Sequence, residues 1–231
     1  MKIADFLKSY WSHYVLLEKD FLETQRYLEI DEFNAKAYSN EYLKQYQSIC
    51  SEIDVFCKEF CKILDSTSTA ENIHHYCKYI IDSYNDFADK KIYVRAWQKD
   101  IQPWLNWNYK INTNKNGVSK VSSTPPKWWT IYNKVKHQRT TAMSSYGNIP
   151  FYKHANQENI VNALGALFIL ETTCFSLLSQ QAGKMLNVPL PFSQVFEMYN
   201  LDGVTCLGDN IAMIYKEECL HMVTVDELMK E

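Results

Sequence analysis

The chain has 231 residues, which predicts one large domain or two small ones. Hydrophobic residues make up 46% of it, and its six glycines and six prolines are too few for a disordered or turn-rich all-β protein. Seven cysteines, an odd number, and an N-terminus without a long apolar stretch argue against a secreted disulfide-bonded protein and favour a cytoplasmic one with free thiols.

Three helices are predicted in the N-terminal part of the chain, because apolar side chains recur there at three- and four-residue spacing. The first covers residues 4 to about 29, and the second covers residues 39 to 64 with a continuous apolar stripe. The third opens at Ser68, since Ser68-Thr69-Ala70-Glu71 has the pattern of a capping box, and it runs through Tyr84.

The middle of the chain breaks this pattern before two more helices follow. Residues 91–97 predict a short strand or an extended arm, and residues 104–123, rich in Asn, Ser and Lys, predict a loop. A fourth helix starts at Thr124-Pro125-Pro126 and runs to about Arg139. A fifth, capped by Asn156, covers residue 157 to about residue 182.

The C-terminal part has weaker signals. They predict a short helix over residues 194–199, a strand over residues 210–215 and a frayed helical end over residues 225–230. The longest apolar run, residues 163–170, is too short for a membrane span and predicts a buried core helix without membrane contact.

These elements together predict a mainly all-α fold. It is a single domain over residues 1–231, a bundle of about five helices with irregular Trp- and Lys-rich insertions and one or two short strands. The core is expected at about residues 40–182, and residues 184–231 form a C-terminal extension.

Charge is distributed unevenly along the chain. The window from Lys90 to Lys153 holds 12 cations and one acid, Asp100, for a net charge of +11, whereas the other residues hold 12 cations and 26 acids, for −14. Five of the six tryptophans also lie in this window. Two interpretations stay open: a surface for a phosphate backbone and stacked bases, or a segment that packs across the acidic helices of the same chain.

A zinc site is one alternative suggested by the cysteines. Cys57, Cys61, His74 and Cys77 carry ligand types that suit zinc. However, Cys57 and Cys61 fall in the apolar stripe of a long helix, where cysteine behaves as a small hydrophobic residue. The sequence therefore predicts no metal and no other cofactor. Three carboxylates of the same helix have the spacing of a solvated face: Glu52, Asp54 and Glu59.

The strongest candidate for chemistry is the segment from Trp128 to Arg139. Asn133 and His137 are four residues apart and share one face of the predicted helix, with Lys136 beside them. An imidazole next to a cation and a neutral amide suits work on a phosphate ester. The alternative is an ordinary surface helix with buried tryptophans and solvated lysines.

This segment resembles the motif of the HEPN superfamily, compact α-helical domains of many bacterial toxins, antiphage proteins and RNA-processing enzymes. The motif is an arginine, a polar residue that is often Asn, three variable residues and a histidine. Asn133 and His137 fall on the polar and histidine positions, whereas Tyr132 stands in the arginine position. The apolar stretch from Asn159 to Phe168 is similar to the helix that follows the motif in some members.

The resemblance implies a homodimeric, metal-independent endoribonuclease in bacterial defence or stress response. His137 would transfer a proton at the ribose 2′-hydroxyl, and Asn133 would position the phosphate or the histidine of the other copy. Lys136 would supply the charge of the missing arginine, with Arg139 as the other candidate. The alternative is a non-catalytic helical module that binds RNA or a partner protein through the basic segment. The residues expected to contact nucleic acid are Lys127, Trp128, Trp129, Tyr132, Lys134 and Arg139.

Overall fold

The computed structural model describes residues 1–117, 119–184 and 188–198 with their side chains, and the backbone of three further strands, residues 204–208, 211–216 and 219–224. Over these residues the protein is mainly helical, with short antiparallel strands, which confirms the predicted fold class. The buried side chains form one core that runs from Phe6 to Phe196, beyond both ends of the predicted 40–182 range.

The N-terminal helix is a continuous rod of three parts. It consists of α1 (Ile3–Phe6), a π-helical segment (Leu7–Trp11) and α2 (Ser12–Glu23). The predicted end near residue 29 is too late, because the Thr24 hydroxyl donates to the carbonyl of Phe21 at 2.6 Å and a 3-10 turn follows. Its inward face is aromatic at Phe6, Trp11, Tyr14 and Phe21.

Two long helices make the centre of the bundle and match their predictions. Helix α3 (Asn40–Leu64) begins at Ser39, whose hydroxyl accepts from the Tyr42 amide at 3.0 Å. Helix α6 (Gln157–Gln181) begins at Asn156, whose side chain accepts from the Asn159 amide at 3.0 Å. The two pack along one another, and α6 is buried on nearly every side.

Helix α6 is long and apolar enough to cross a membrane by composition alone. However, 83% of its most apolar window is buried inside the protein. That burial is typical of the core helix of a soluble protein.

Helix α4 (Ile73–Ser83) starts later than the sequence predicted. The cap is Asn72, whose side-chain oxygen Oδ1 accepts from the backbone amides of His74 at 3.1 Å and His75 at 3.2 Å. The predicted capping box at Ser68 is wrong, because the Ser68 hydroxyl accepts from the Ala70 amide within a turn instead. Asn72 is the cap because its short amide side chain can accept from two free N–H groups of the first helical turn at once.

The region predicted as a loop contains a β-hairpin. Strands β3 (Tyr109–Thr113) and β4 (Ser119–Ser123) pair antiparallel over five residues each. At its turn the Gly117 amide donates to the Asn114 carbonyl, and Gly117 has a φ of +77°, which glycine adopts without steric cost. The loop prediction failed because each strand carries a single aliphatic residue, which hides the alternation of a strand.

A small sheet joins the middle of the chain to its C-terminal part. Strand β1 (Ile92–Val94) pairs with β2 (Lys99–Ile101) and with β5 (Phe196–Glu197). The strand alternative for residues 91–97 is therefore confirmed, and the short helix predicted over residues 194–199 is wrong. Extended backbone at Phe196 and Glu197 completes the edge of this sheet.

A buried carboxylate holds that edge in place. Glu18 of α2 accepts from the Tyr14 hydroxyl at 2.9 Å, from the Gln194 amide at 2.9 Å and from the Val195 amide at 3.3 Å, and also from the Ser193 hydroxyl. Four donors compensate the cost of removing this carboxylate from water.

The remaining elements complete the described chain. Helix α5 (Lys127–His137) ends two residues before the predicted Arg139. Strands β6 (Val204–Gly208), β7 (Ile211–Lys216) and β8 (Cys219–Thr224) form an antiparallel sheet, so the strand predicted over residues 210–215 is confirmed. The helical end predicted over residues 225–230 lies outside the described residues.

The core also contains a second carboxyl group, that of Glu171, whose surroundings differ from those of Glu18. Glu171 of α6 is fully buried, and neither of its oxygens has a hydrogen-bond partner within the described residues. Burial raises the pKa of the Glu171 carboxyl well above its usual range, and the nearby Glu52 raises it further.

We expect Glu171 to make folding stability fall as the pH rises. The folded protein holds the proton of the Glu171 carboxyl more tightly than the unfolded chain does. The stability that this proton contributes is therefore complete below about pH 4.3 and is lost as the pH rises through the raised pKa. Glutamine does not titrate, so the free energy of unfolding of Glu171→Gln should rise relative to that of the parent as the pH increases, by at most about 1.4 kcal/mol per pH unit. Urea unfolding of both proteins from about pH 4.3 upward measures the difference.

Glu23→Gln is the matched control, because Glu23 is an exposed glutamate. Its stability should follow that of the parent at every pH. Parallel curves for the parent and Glu171→Gln would contradict the buried, protonated state of Glu171.

Candidate functional site

The orientation of α5 is set by its aromatic side. The Trp128 indole N–H donates to the Pro103 carbonyl at 2.7 Å, and the Tyr46 hydroxyl of α3 donates to the Trp128 carbonyl. Trp129 packs on Tyr132 with ring centroids 5.3 Å apart, and both are buried. Because this side of the helix is fixed in the core, the polar residues between its aromatic side chains have defined neighbours.

Those polar residues line a pocket of about 300 Å³ between α3, α4 and α5. Asn133 and Lys136, two of the three predicted catalytic residues, form its α5 wall beside Trp129 and Tyr132. The other walls belong to α3 and to the start of α4: Ser51, Asp54, Asn72, Ile73 and His74. The sequence therefore predicted one wall of a site whose opposite walls it missed.

His137, the third predicted catalytic residue, does not line the pocket. It is the last residue of α5 and is exposed. The pocket stripe is Trp129, Tyr132, Asn133 and Lys136, at the i, i+3, i+4, i+7 positions of one helical face. His137 lies one residue beyond this stripe, so the four-residue spacing from Asn133 does not bring its imidazole into the pocket.

The residues predicted to contact nucleic acid fall into two groups. The aromatic rings are buried, with exposed fractions of 3% for Trp128, 6% for Trp129 and 7% for Tyr132. Rings buried to this extent leave little surface on which a base could stack. Lys127 and Arg139 are exposed, and the Lys134 ammonium lies over the Phe151 ring at 5.4 Å from its centroid.

The cations of the basic window have two kinds of surroundings. Arg95 and Lys99 pair with carboxylates of distant segments, Glu197 and Glu32, and Lys90 pairs with Asp86, four residues earlier in the chain. The interpretation as a surface for a phosphate backbone stays a prediction. Within the described residues no carboxylate pairs with the remaining cations of the window, among them Lys110, Lys115, Lys120, Lys127, Lys136 and Arg139. The positive charge therefore stays available on α5 and on the β3–β4 hairpin.

Asp54 is the acidic residue of the pocket. Loss of water raises the pKa of its carboxyl, and the Tyr76 hydroxyl and the charges of Lys136 and Lys58 act in the opposite direction. The sequence predicted a solvated face for Asp54, and the residue is exposed, which confirms that prediction. What periodicity could not reveal is that α4 and α5 approach this face.

His74 is held in one protonation form by a residue far away in the chain. Its Nδ1 accepts from the Ser123 amide at 3.0 Å and lies 2.9 Å from the Ser123 hydroxyl oxygen. An atom that accepts a backbone N–H carries no proton, so the ring hydrogen of this tautomer lies on Nε2. Nothing in the sequence links residues 74 and 123.

The zinc alternative is not favoured by this arrangement. Cys57, Cys61 and Cys77 are buried, and burial raises the pKa of Cys61 and Cys77 to about 12, whereas zinc binds the thiolate. His74 uses one ring nitrogen for Ser123. Within the part of the chain that the structure describes, no three metal-binding side chains converge.

Comparisons with protein-family models, with curated proteins and with solved structures find no match to this chain. The likeness to the HEPN superfamily therefore depends only on the motif residues of α5 and on the apolar stretch from Asn159 to Phe168 in α6.

The protonation form of His74 can be observed directly. At about pH 8, above the ordinary titration range of histidine, 15N NMR of the imidazole nitrogens should show His74 with its proton on Nε2. The exposed ring of His137, for which the described residues provide no such bond, should show both tautomers. A proton on Nδ1 of His74 would contradict the bond from Ser123 and the pocket wall that depends on it.

Proposed function

We propose that the protein binds an RNA phosphodiester in the pocket between α3, α4 and α5 and cleaves it as a metal-independent endoribonuclease. The observation that carries the proposal is the convergence of Asn133 and Lys136 with Asp54 and His74 on one pocket. The pocket, at about 300 Å³, is at the small end of ligand sites, which suits a single nucleotide unit.

Charge favours a phosphate as the group bound. Lys136 has no carboxylate ion pair among the described residues, and its ammonium lies 5.8 Å from the Tyr132 ring centroid. A cation at the mouth of a partly desolvated pocket attracts an anion more strongly than one in open solvent.

Neutral donors provide the rest of the binding. One hydrogen of the Asn133 amide goes to the Trp129 carbonyl at 3.2 Å, which fixes the side chain and leaves its second hydrogen for a ligand. His74 offers its Nε2 hydrogen, and Ser51 offers a hydroxyl. Donors fixed before the ligand arrives suit a phosphate that gains negative charge in its transition state.

The cleavage step needs no added reactant. The ribose 2′-oxygen attacks the phosphorus, the bond to the 5′-oxygen breaks, and the products are a 2′,3′-cyclic phosphate and a 5′-hydroxyl. The proton leaves the 2′-oxygen and ends on the 5′-oxygen. Asp54 is the pocket group able to accept that proton and return it, and Lys136 stabilises the charge on the phosphorane oxygens.

The HEPN resemblance adds expectations that the pocket alone does not require. They are a homodimer in which His137 of a second copy reaches the substrate, a cytoplasmic location, and a role in bacterial defence or stress response. These rest on the likeness of Asn133 and His137 to the motif.

The second candidate function is RNA binding without cleavage. It is favoured by the position of His137 outside the pocket and by the buried Tyr132 in the arginine position of the motif. In this version the pocket and the exposed lysines bind the phosphate backbone, and no bond breaks.

We expect the parent protein, with metals chelated, to cleave a mixed pool of single-stranded and structured RNA and to leave cyclic phosphate ends. Lys136→Ala should slow cleavage by about 100-fold or more, the usual loss when one transition-state donor is removed. Asp54→Asn should slow it as well, because the amide cannot accept a proton. Gel analysis of end-labelled RNA measures both rates.

Two further variants separate the possible explanations. Lys19→Ala is the matched control, since Lys19 is an exposed lysine of α2 with no predicted role in binding or cleavage. His137→Ala tests the dimer expectation: a large loss favours a second copy at the site, and parental activity favours the pocket alone. Cleavage that survives Lys136→Ala in a folded protein contradicts the proposal, and RNA binding without cleavage moves the conclusion to the second candidate.

A further inference from the structure

The β3–β4 hairpin has two chemically different faces. Its pairing register places Tyr109 opposite Ser123 and Ile111 opposite Val121, while Lys110 is opposite Ser122 and Asn112 opposite Lys120. Because paired residues point to the same side of a sheet and successive residues alternate, the first two pairs share one face and the last two share the other.

The first face seats the hairpin on α4. Ser123 bonds to His74, as described above, and the Tyr109 hydroxyl donates to the Asp82 carboxylate. The Lys78 ammonium also lies 5.9 Å from the Tyr109 ring centroid. The base of the hairpin is therefore fixed to the same helix that carries a wall of the pocket.

The second face is basic and polar throughout. Lys110 and Lys120 are exposed, and between them the Asn112 amide donates to the Ser122 hydroxyl at 2.9 Å. Their side chains stand on diagonal positions of the ladder, about 7–8 Å apart at the backbone. Lys115 adds a third exposed cation at the turn, and the sequence contains no acid from residue 101 to residue 157.

The composition of this face selects the kind of partner. Over the described residues of the hairpin this face presents no apolar or aromatic side chain, so it lacks there the buried anchors of a protein interface and the apolar residues that enter a lipid surface. Lysine, asparagine and serine are side chains that contact phosphate and sugar groups without reading the bases. A flat row of such residues fits the sugar–phosphate backbone of a nucleic acid.

The position of this face beside the pocket indicates the path that a bound nucleic-acid strand would follow. Strand β4 ends at Ser123, which holds the His74 ring of the pocket, so the basic face begins beside the pocket wall. We propose that the Lys110–Lys120 face of the hairpin, with Lys115 at its tip, is a sequence-independent binding surface for the RNA strand whose phosphate enters the pocket. The inference rests on the proposed function in that RNA is the ligand.

A salt titration tests the surface separately from the chemistry. A fluorescently labelled single-stranded RNA of about 12 nucleotides, with 2′-deoxy sugars at alternate positions to limit cleavage, is titrated with the parent and with the triple variant Lys110→Ala, Lys115→Ala, Lys120→Ala. We expect binding about tenfold weaker or more at low salt. The slope of log affinity against log salt should also fall by about two, since each phosphate contact to a single strand contributes about 0.7.

The control is a second triple variant, Lys2→Ala, Lys8→Ala, Lys19→Ala, which removes the same charge from exposed lysines of the N-terminal segment. It should keep nearly the parental affinity and slope. Thermal unfolding of both triple variants confirms that they are folded. Two outcomes would overturn the proposed surface. In the first, the two triple variants weaken RNA binding equally, which would attribute the effect to net charge. In the second, the hairpin variant keeps the parental affinity and slope.

The two proposals fail in distinguishable ways. If the protein binds RNA through the hairpin but cleaves none, the surface stands and the ribonuclease proposal falls. If Lys136→Ala abolishes cleavage while the hairpin variant binds RNA as tightly as the parent, the ribonuclease proposal stands and the surface falls. Absence of any RNA binding by the parent overturns both.

Discussion

The burial of one side of α5 is the constraint on which the candidate site depends. Trp128, Tyr132 and Val135 pack in the core, and the Tyr46 hydroxyl bonds to the backbone of the same helix. A helix fixed in this way cannot rotate, so Lys136, although exposed, lies on the side of α5 that faces α3 and α4. The buried aromatic side chains of α5 thus position the lysine of the candidate site.

A second constraint ties the hairpin to the pocket. The bond between the Ser123 amide and His74 Nδ1 fixes both the ring orientation of a pocket residue and the base of the β3–β4 hairpin. One contact therefore links the enclosed part of the candidate RNA site to its extended basic part. The bonds of Tyr109 and Ser123 place the hairpin, although little of its surface is buried.

Sequence patterns predicted the parts of this fold that local physics determines. Helices α3 and α6 have long apolar periodicity and a capping side chain at Ser39 or Asn156, so their position followed from residues close to one another in the chain. Asn133 and Lys136 were predictable for the same reason, because helical spacing alone puts them on one face.

The remaining parts depend on contacts between distant segments. Periodicity identifies Asp54 as outside the apolar stripe of α3 but cannot say which elements approach it. His74 gains its role from Ser123, 49 residues away. The predicted role of His137 illustrates the converse error, since four-residue spacing gave it the face of Asn133 although the pocket ends at Lys136.

A crystal structure of the protein with a dinucleotide that lacks the attacking 2′-hydroxyl tests the central claim most directly. The claim predicts the bridging phosphate between α3, α4 and α5, within hydrogen-bond distance of Lys136 Nζ and the Asn133 amide, with His74 Nε2 as a further donor. A dinucleotide bound elsewhere on the protein, with the pocket empty and Lys136 turned away from it, would contradict the account.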